Sequence, residues 1–354
     1  MLSYLVQKLA YGLVVILGVI TVVFLLFNVL PGDPSRMMLD QREDSQQLAR
    51  IKAKYGFDAP WSLQYAWYLN DLSPISIHRE APESFTRSEK YPNVGAILWD
   101  GEKWKVLLKA PYLRESFGSR GKSVSAVIAQ TFPNTILLAL TAIGLALILG
   151  IGLGALAALR KGTALDRTIS VVGTVGMSVP SFFSAILLAW IFGYLFSHYT
   201  GLNMTGSLYE IDPYGEGKYL QLKNLILPAF TLGIRPLGVI IQLTRGSLLE
   251  EMGQDYIRTA RAKGIPMGVI VRKHALRNAL NPVVTAASGW FASMLAGAVF
   301  VEYVFGWNGL GKQIVESLNQ LDLPVVMGAV LTIAITFVLI TILVDLIYAW
   351  LDPR

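Results

Sequence analysis

Six apolar stretches long enough to cross a bilayer dominate this sequence. They run over about 9–30, 133–158, 169–196, 225–244, 282–302 and 326–350. A helix needs roughly 20 mostly apolar residues to span the hydrocarbon core. Inside lipid every backbone polar group must find an internal partner, so spans of this kind are helices. The expected fold class is therefore an all-α polytopic membrane protein of six transmembrane helices. An α/β insertion lies on the extracytoplasmic side between the first two. The composition agrees: 53% of residues are hydrophobic and only 15% are charged.

The first stretch could be mistaken for a signal peptide, because Lys8 precedes it. It is too long for a signal core, and Pro31-Gly32-Asp33-Pro34 follows it instead of a small-residue cleavage site. It reads as a retained first helix over 1–30. The fourth stretch contains Pro228, Arg235 and Pro236 and is expected to be kinked.

The short loops set the orientation. Arg160, Lys161 and Arg167 lie in 159–168, and Arg245, Arg258, Arg261, Lys263, Arg272, Lys273 and Arg277 lie in 245–281. The opposite loops hold only Lys218, Lys223 and Lys312. By the excess of Lys and Arg inside, both termini and the basic loops are expected in the cytoplasm. The segment 31–132 then lies outside as its own domain, 133–350 forms the membrane core, and 351–354 is a cytoplasmic tail.

The external segment reads as ordered. Trp and Tyr recur between Tyr55 and Tyr112. The spacing predicts helices over Leu48–Tyr55 and Trp61–Leu72. Asp100-Gly101 between Val94–Trp99 and Trp104–Leu108 predicts a β-hairpin.

There is no cysteine, which excludes disulfides and thiol chemistry. The three histidines, His78, His198 and His274, lie far apart, so no metal site is expected. No G-x-x-x-x-G-K-[ST] phosphate loop occurs, so ATP is not expected to bind here. No nucleic-acid partner is expected.

The segment from Thr244 to Pro282 is too polar for lipid. Its pattern suggests two short helices broken at Gly264, with Pro266 opening the second. Ala260 and Ala262 would let a partner surface approach closely. A basic amphipathic helix lying on anionic lipid is the plainer physical reading of such a stretch.

Here the residues carry a resemblance. Tyr256, Arg258, Thr259, Ala260, Arg261, Ala262, Lys263 and Gly264 are similar to the EAA loop of bacterial ABC-importer permeases, in its peptide-importer variant. His274 to Leu280 matches as well. The glutamate of the general motif is absent. Further landmarks agree in order: Leu30 to Pro34, Lys54 to Tyr65, Ser178-Val179-Pro180-Ser181, Gly297 to Gly311, and Asp345 to Arg354. About 74–113 departs as an insertion.

The resemblance implies a permease subunit of the oligopeptide and dipeptide importer family in the bacterial inner membrane. The loop would be a coupling helix seated on an ATPase subunit. Alternating access would carry di- or oligopeptides inward. Implied partners are a second homologous permease, two ABC ATPase subunits that bind the ATP and Mg, an extracytoplasmic peptide-binding protein and the bilayer. The chain itself is then not an enzyme. Nickel complexes or other small solutes are the alternative cargo. An ion-coupled secondary transporter would need internal repeats and buried acids, and a membrane hydrolase would need a nucleophile and base among the spans. Neither is evident.

Intramembrane charges are functional candidates. Arg235 could meet a substrate carboxylate, or pair with Glu302 or Asp345. Arg235, Ser178 and Glu302 are the candidate pathway residues. The glycines Gly150, Gly152, Gly154, Gly173 and Gly176 are expected to allow close helix packing.

Overall fold

A computed structural model describes residues 2–29, 35, 45–81, 84–91, 94–119, 121–212, 214–215 and 217–351. The Leu30 to Pro34 landmark and the tail 352–354 lie outside the described residues. Among the described residues, five helices are long and apolar enough to cross a membrane, or six spans result if one bent pair counts as one. The chain divides into two compact units, 1–130 with 313–334 and 131–312 with 335–354.

The first unit starts with α1 (Leu2–Val29). Ile20 and Phe24 on α1 pack with Tyr68 and Leu331 in one buried cluster. The Thr21 and Tyr65 hydroxyls share a 2.6 Å hydrogen bond. Helices α2 (Ser45–Tyr55) and α3 (Trp61–Leu72) follow, where the apolar spacing places them. Strands β1 (Ile75–Arg79), β2 (Val94–Asp100) and β3 (Trp104–Lys109) form an antiparallel sheet of order β1-β3-β2. The hairpin turns at Asp100-Gly101, where the Gly101 N–H donates to the Trp104 carbonyl at 3.0 Å.

A buried acid organises the underside of this sheet. The Asp71 carboxylate accepts from the Tyr91 hydroxyl at 2.6 Å and from Arg114 Nε at 2.7 Å. Arg114 adopts φ 66°, a left-handed backbone that costs a side-chain-bearing residue roughly 1–2 kcal/mol. The ion pair with Asp71, and the Tyr68 and Phe85 rings under its guanidinium, hold it there. Burial, with Asp71 beside it, pushes the Tyr91 phenol well above its ordinary range. A second acid, Asp322, accepts from Ser116 Oγ and from the Phe117 and Gly118 N–H groups, pinning that loop.

His78 on β1 is fully buried. Its Nδ1 lies 2.9 Å from the Thr86 carbonyl and its Nε2 2.7 Å from Ser76 Oγ. The neutral tautomer with a proton on Nδ1 satisfies both contacts. Burial lowers the His78 pKa; the Thr86 carbonyl opposes this most, Lys109 lowers it further, and Asp71 and Glu80 oppose it least. The unfolded chain then binds the proton more readily. The stabilisation is fully present above an unfolded pKa of about 6.5 and is lost as pH falls below it. We expect amide exchange in β1 and β3 to speed up between pH 7.5 and 5.5. That acceleration should be blunted in His78→Gln. Equal pH sensitivity in the variant would assign the effect elsewhere.

The second unit contains most of α4 (Val124–Leu159), then α5 (Ala164–Ser178) and α6 (Ser181–Leu188), which continues as a π turn over Ala189–Leu195. The third expected span is thus not one straight helix. It bends by 109° between Ser178 and Ser181, because Pro180 removes a backbone donor and forces the residue before it to be extended. Val179 accordingly has ψ 131°. A small hairpin, β4 (Tyr209–Ile211) and β5 (Lys218–Leu220), sits in the next loop.

Helix α8, numbered here after the short helical turn α7 (Ser197–Thr200), runs unbroken over Ile226–Glu251. Its two prolines do not end it. Pro228 falls in the first turn, where no intrahelical donor is missed, and Pro236 is carried inside. The helix continues seven residues past the apolar run.

Glycines set how closely helices approach α8. A Cβ on Gly150 would lie 2.6 Å from an Ile240 side-chain carbon, and one on Gly154 2.7 Å from the Ile241 carbonyl. One on Gly238 would lie 2.3 Å from the Gly173 carbonyl, and one on Gly233 2.9 Å from that of Ala142. A Cβ on Gly176 would lie 3.0 Å from an Ile234 side-chain carbon. Gly152 departs from expectation: among the described residues of other elements, a Cβ there would meet nothing within 4 Å, because the position faces away from the seam.

After α8 come α9 (Asp255–Ala262), α10 (267–279, with a π turn over Ile270–Ala275), α11 (Asn281–Phe305), α12 (Leu310–Asn319) and α13 (Leu323–Leu351). The α13 helix is shared between the two units. The core of the second unit gathers Leu138, Ala142, Leu232, Ile240, Leu295 and Phe305 around the fully buried Trp307.

Candidate functional site: the polar loop between α8 and α11

The loop is a folded object. Helix α9 begins with Asp255 in its first turn and ends with Arg261 in its last, each suited to the helix dipole there. Ile257 and Ala260, three residues apart, share a face. Both are buried in a cluster with Leu248 of α8, Ile270, Val271 and Ala275 of α10, and Ala158 of α4. Ile257 is fully buried.

Gly264 ends the helix as the spacing predicts, with φ 74°. Its N–H donates to the Arg261 carbonyl at 2.9 Å, and the Ile265 N–H donates to the Ala260 carbonyl at 3.2 Å. This is the paired bonding of a Schellman cap, and Ile265 joins the same apolar cluster as Ala260. Pro266 then sits immediately before α10 as its N-cap, rather than inside its first turn.

The outward face is polar and basic. Arg258, Thr259, Arg261, Ala262 and Lys263 are exposed. Thr259 Oγ1 donates to the Asp255 carbonyl at 3.0 Å, and Arg258 pairs with Asp255 at 3.2 Å in an exposed contact. Exposed Met267 and Val269 form an apolar tip on the adjoining helix. The two alanines therefore differ: Ala262 faces out, while Ala260 packs inward and cannot serve a docking surface. Tyr256 ties the end of α8 to α10. Its hydroxyl donates to Glu251 Oε2 and accepts from Asn278 Nδ2 at 3.2 Å. Partial burial, with the Glu251 contact second, pushes the phenol up. His274 is exposed on α10.

The adjoining short loop is fixed to α8 by an ion pair that sequence reasoning missed. Arg245 grips Asp166 through two bonds, Nε to Oδ1 at 2.6 Å and Nη2 to Oδ2 at 2.8 Å. Asp166 also accepts from the Gly162 N–H at 2.9 Å. Thr163 caps α5 by accepting from the Asp166 N–H. The Thr163-x-x-Asp166 spacing was the available signal, being that of a capping box.

The pathway candidates separate. Ser178 is the last residue of α5 and donates to the Thr174 carbonyl at 3.0 Å. Arg235 is exposed on α8, with its guanidinium 5.8 Å from the Trp290 ring centre. Among the described residues no carboxylate pairs with it. Glu302 is fully buried at the end of α11. Its Oε2 accepts from the Gly311 and Lys312 N–H groups at 2.7 and 3.2 Å, at the start of α12, a favourable end for an anion. Glu302 thus shapes the α11–α12 turn, alongside the Trp307 Nε1 bond to the Asn134 carbonyl. Among the described residues no group of three or more His, Asp or Glu is placed to hold a metal ion.

Comparison with known proteins bears on this loop and on the whole chain. The family model described as "Binding-protein-dependent transport system inner membrane component" matches residues 150–354. A second, "Binding-prot-dependent transport system membrane comp, N-term", matches 1–85. A dipeptide transport system permease protein of Alkalihalophilus pseudofirmus is 30% identical, over 100% of this chain and 99% of its own. A probable D,D-dipeptide transport system permease protein of Escherichia coli K12 is 32% identical, over 97% and 95%. A dipeptide transport system permease protein of Bacillus subtilis 168 is 32% identical, over 100% and 98%.

Proposed function

Because this chain belongs to the binding-protein-dependent transport system inner membrane components, we propose that it forms one half of the pathway of an importer for short peptides. It is a multi-pass permease subunit of an ABC importer in the inner membrane. The peptide cargo follows from what its relatives are named for. A second related permease supplies the other half, and an extracytoplasmic binding protein delivers cargo.

The observation that carries the mechanism is the seating of α9. Its inner face is locked to α8 and α10 through Ile257, Ala260 and the Gly264 cap. Its outer face offers Arg258, Thr259, Arg261, Ala262 and Lys263. An element packed on one side against the spanning helix α8 and, at Ala158, against α4, and open on the other side, can pass a rigid-body motion from an ATPase subunit into those helices. On this reading the loop and both termini are cytoplasmic, the segment around β1–β3 lies outside, and ATP with Mg is bound by the partner.

The test is purification from the native membrane followed by uptake of labelled alanyl-alanine into proteoliposomes. The expected result is recovery with a sister permease and ATPase subunits, and uptake that requires ATP. A solitary chain that moves the dipeptide on an ion gradient, without ATP, would overturn the reading.

A further inference from the structure

Arg235 occupies a place where lipid contact is costly. It is the tenth residue of α8, about 14 Å along a helix rising ~1.5 Å per residue, so it sits near the bilayer midplane. It is exposed, and among the described residues it has no carboxylate partner. Its guanidinium lies 5.8 Å from the Trp290 ring centre, and that face attracts a cation without neutralising it.

The exposure is not local to one side chain. Gln242 is exposed two turns further along α8, donating to Thr174 Oγ1 on α5 at 3.1 Å. Thr174 and Ser178 are exposed on α5, and Ser293 is exposed on α11. Arg235, Trp290 and Ser293 line one small recess with Ser181, beside the 109° break of the third span. The opposite kind of surface also exists in the same unit: Ile148 on α4 is 73% exposed and suits lipid.

We propose that the face of α5, α8 and α11 carrying Thr174, Gln242 and Ser293 lines a water-filled path, and that Arg235 is its fixed positive charge, meeting the carboxylate of a peptide in transit. A low-dielectric wall around one unpaired cation concentrates anions at that point. The bend at Pro180 places the Ser181 end of α6 at the recess, so the third span opens where the charge sits. This inference rests on the permease reading given above.

The chain has no cysteine, so any label on this subunit, separated from its partners by gel, reports the introduced cysteine alone. Ser293→Cys and Gln242→Cys would be made in the complete importer in proteoliposomes. Each would be treated with an anionic or a cationic methanethiosulfonate reagent, with and without ATP. We expect both sites to react, the anionic reagent being favoured by about tenfold. Arg235→Gln should erase the preference and Arg235→Lys should keep it, while Ile148→Cys stays unreactive. Cysteines unreactive in every state would overturn the proposal, because lipid or another chain would then cover the face. So would equal reactivity at Ile148→Cys, or a preference unchanged by Arg235→Gln. Dipeptide uptake by the unmodified importer is the separate control: its absence would strike the permease reading, and its presence with silent cysteines strikes only this one.

Discussion

Replacing Gly238 by valine should abolish recovery of the folded chain, while Gly152→Val leaves it intact. The two glycines are alike in sequence context, each within an apolar helix. They differ in what a side chain would meet. A Cβ at 238 lies 2.3 Å from the Gly173 carbonyl and 2.5 Å from Met177 Cγ. The nearer obstacle is backbone and cannot rotate away, so α5 and α8 would have to separate. Overpacking a close seam costs at or above about 3 kcal/mol, the upper end of the usual range. Helix association in lipid depends on such close packing, since burial of apolar surface contributes little there. A Cβ at 152 meets nothing within 4 Å among the described residues of other elements. The measurement is retention of the monodisperse detergent-solubilised chain on heating. Comparable losses for both variants would mean that glycine at these positions serves backbone flexibility rather than contact.

The contrast also shows where sequence reading stops. Apolar length located the long apolar helices and the bent pair to within about nine residues, because the bilayer sets one minimum length for any span. The Gly264 cap and the Asp100-Gly101 hairpin were legible for a similar reason: each is decided by the local backbone. The two proline sites of spans three and four were not separable by that logic. Pro180 bends its span by 109°, whereas Pro236 is carried within an unbroken helix. The two share the same missing donor, and the surroundings decide whether the helix survives. Which glycine faces a seam is likewise a tertiary fact, and so is the burial of Ala260 against the exposure of Ala262. Asp166 is hard to find from sequence for the same reason: an acid gripping Arg245 across 79 positions leaves only a faint capping pattern behind.

Within the polar loop, the fold of α9 and its contact with an ATPase can be broken separately. Ile257→Asp places a carboxylate in a site that is fully closed to solvent, among Leu248, Ile270 and Ala275. No partner for it is present there, and the cost is about 4 kcal/mol or more. The helix should then leave its seat. We expect ATP-dependent dipeptide uptake to fall by at least about 100-fold, with protease cleavage appearing between 252 and 266 even in the chain without its ATPases. Arg258→Glu with Arg261→Glu alters only exposed positions, where substitutions change stability by no more than about 0.5 kcal/mol. That variant should resist protease like the parent and yet release the ATPase subunits at lower salt, because charges at the rim of an interface govern association and its salt dependence. A protected loop in Ile257→Asp would show that α9 is not held by its apolar face. Unchanged ATPase retention in the double glutamate variant would place the docking surface on the Met267–Val269 tip instead, and leave the basic face to the lipid headgroups.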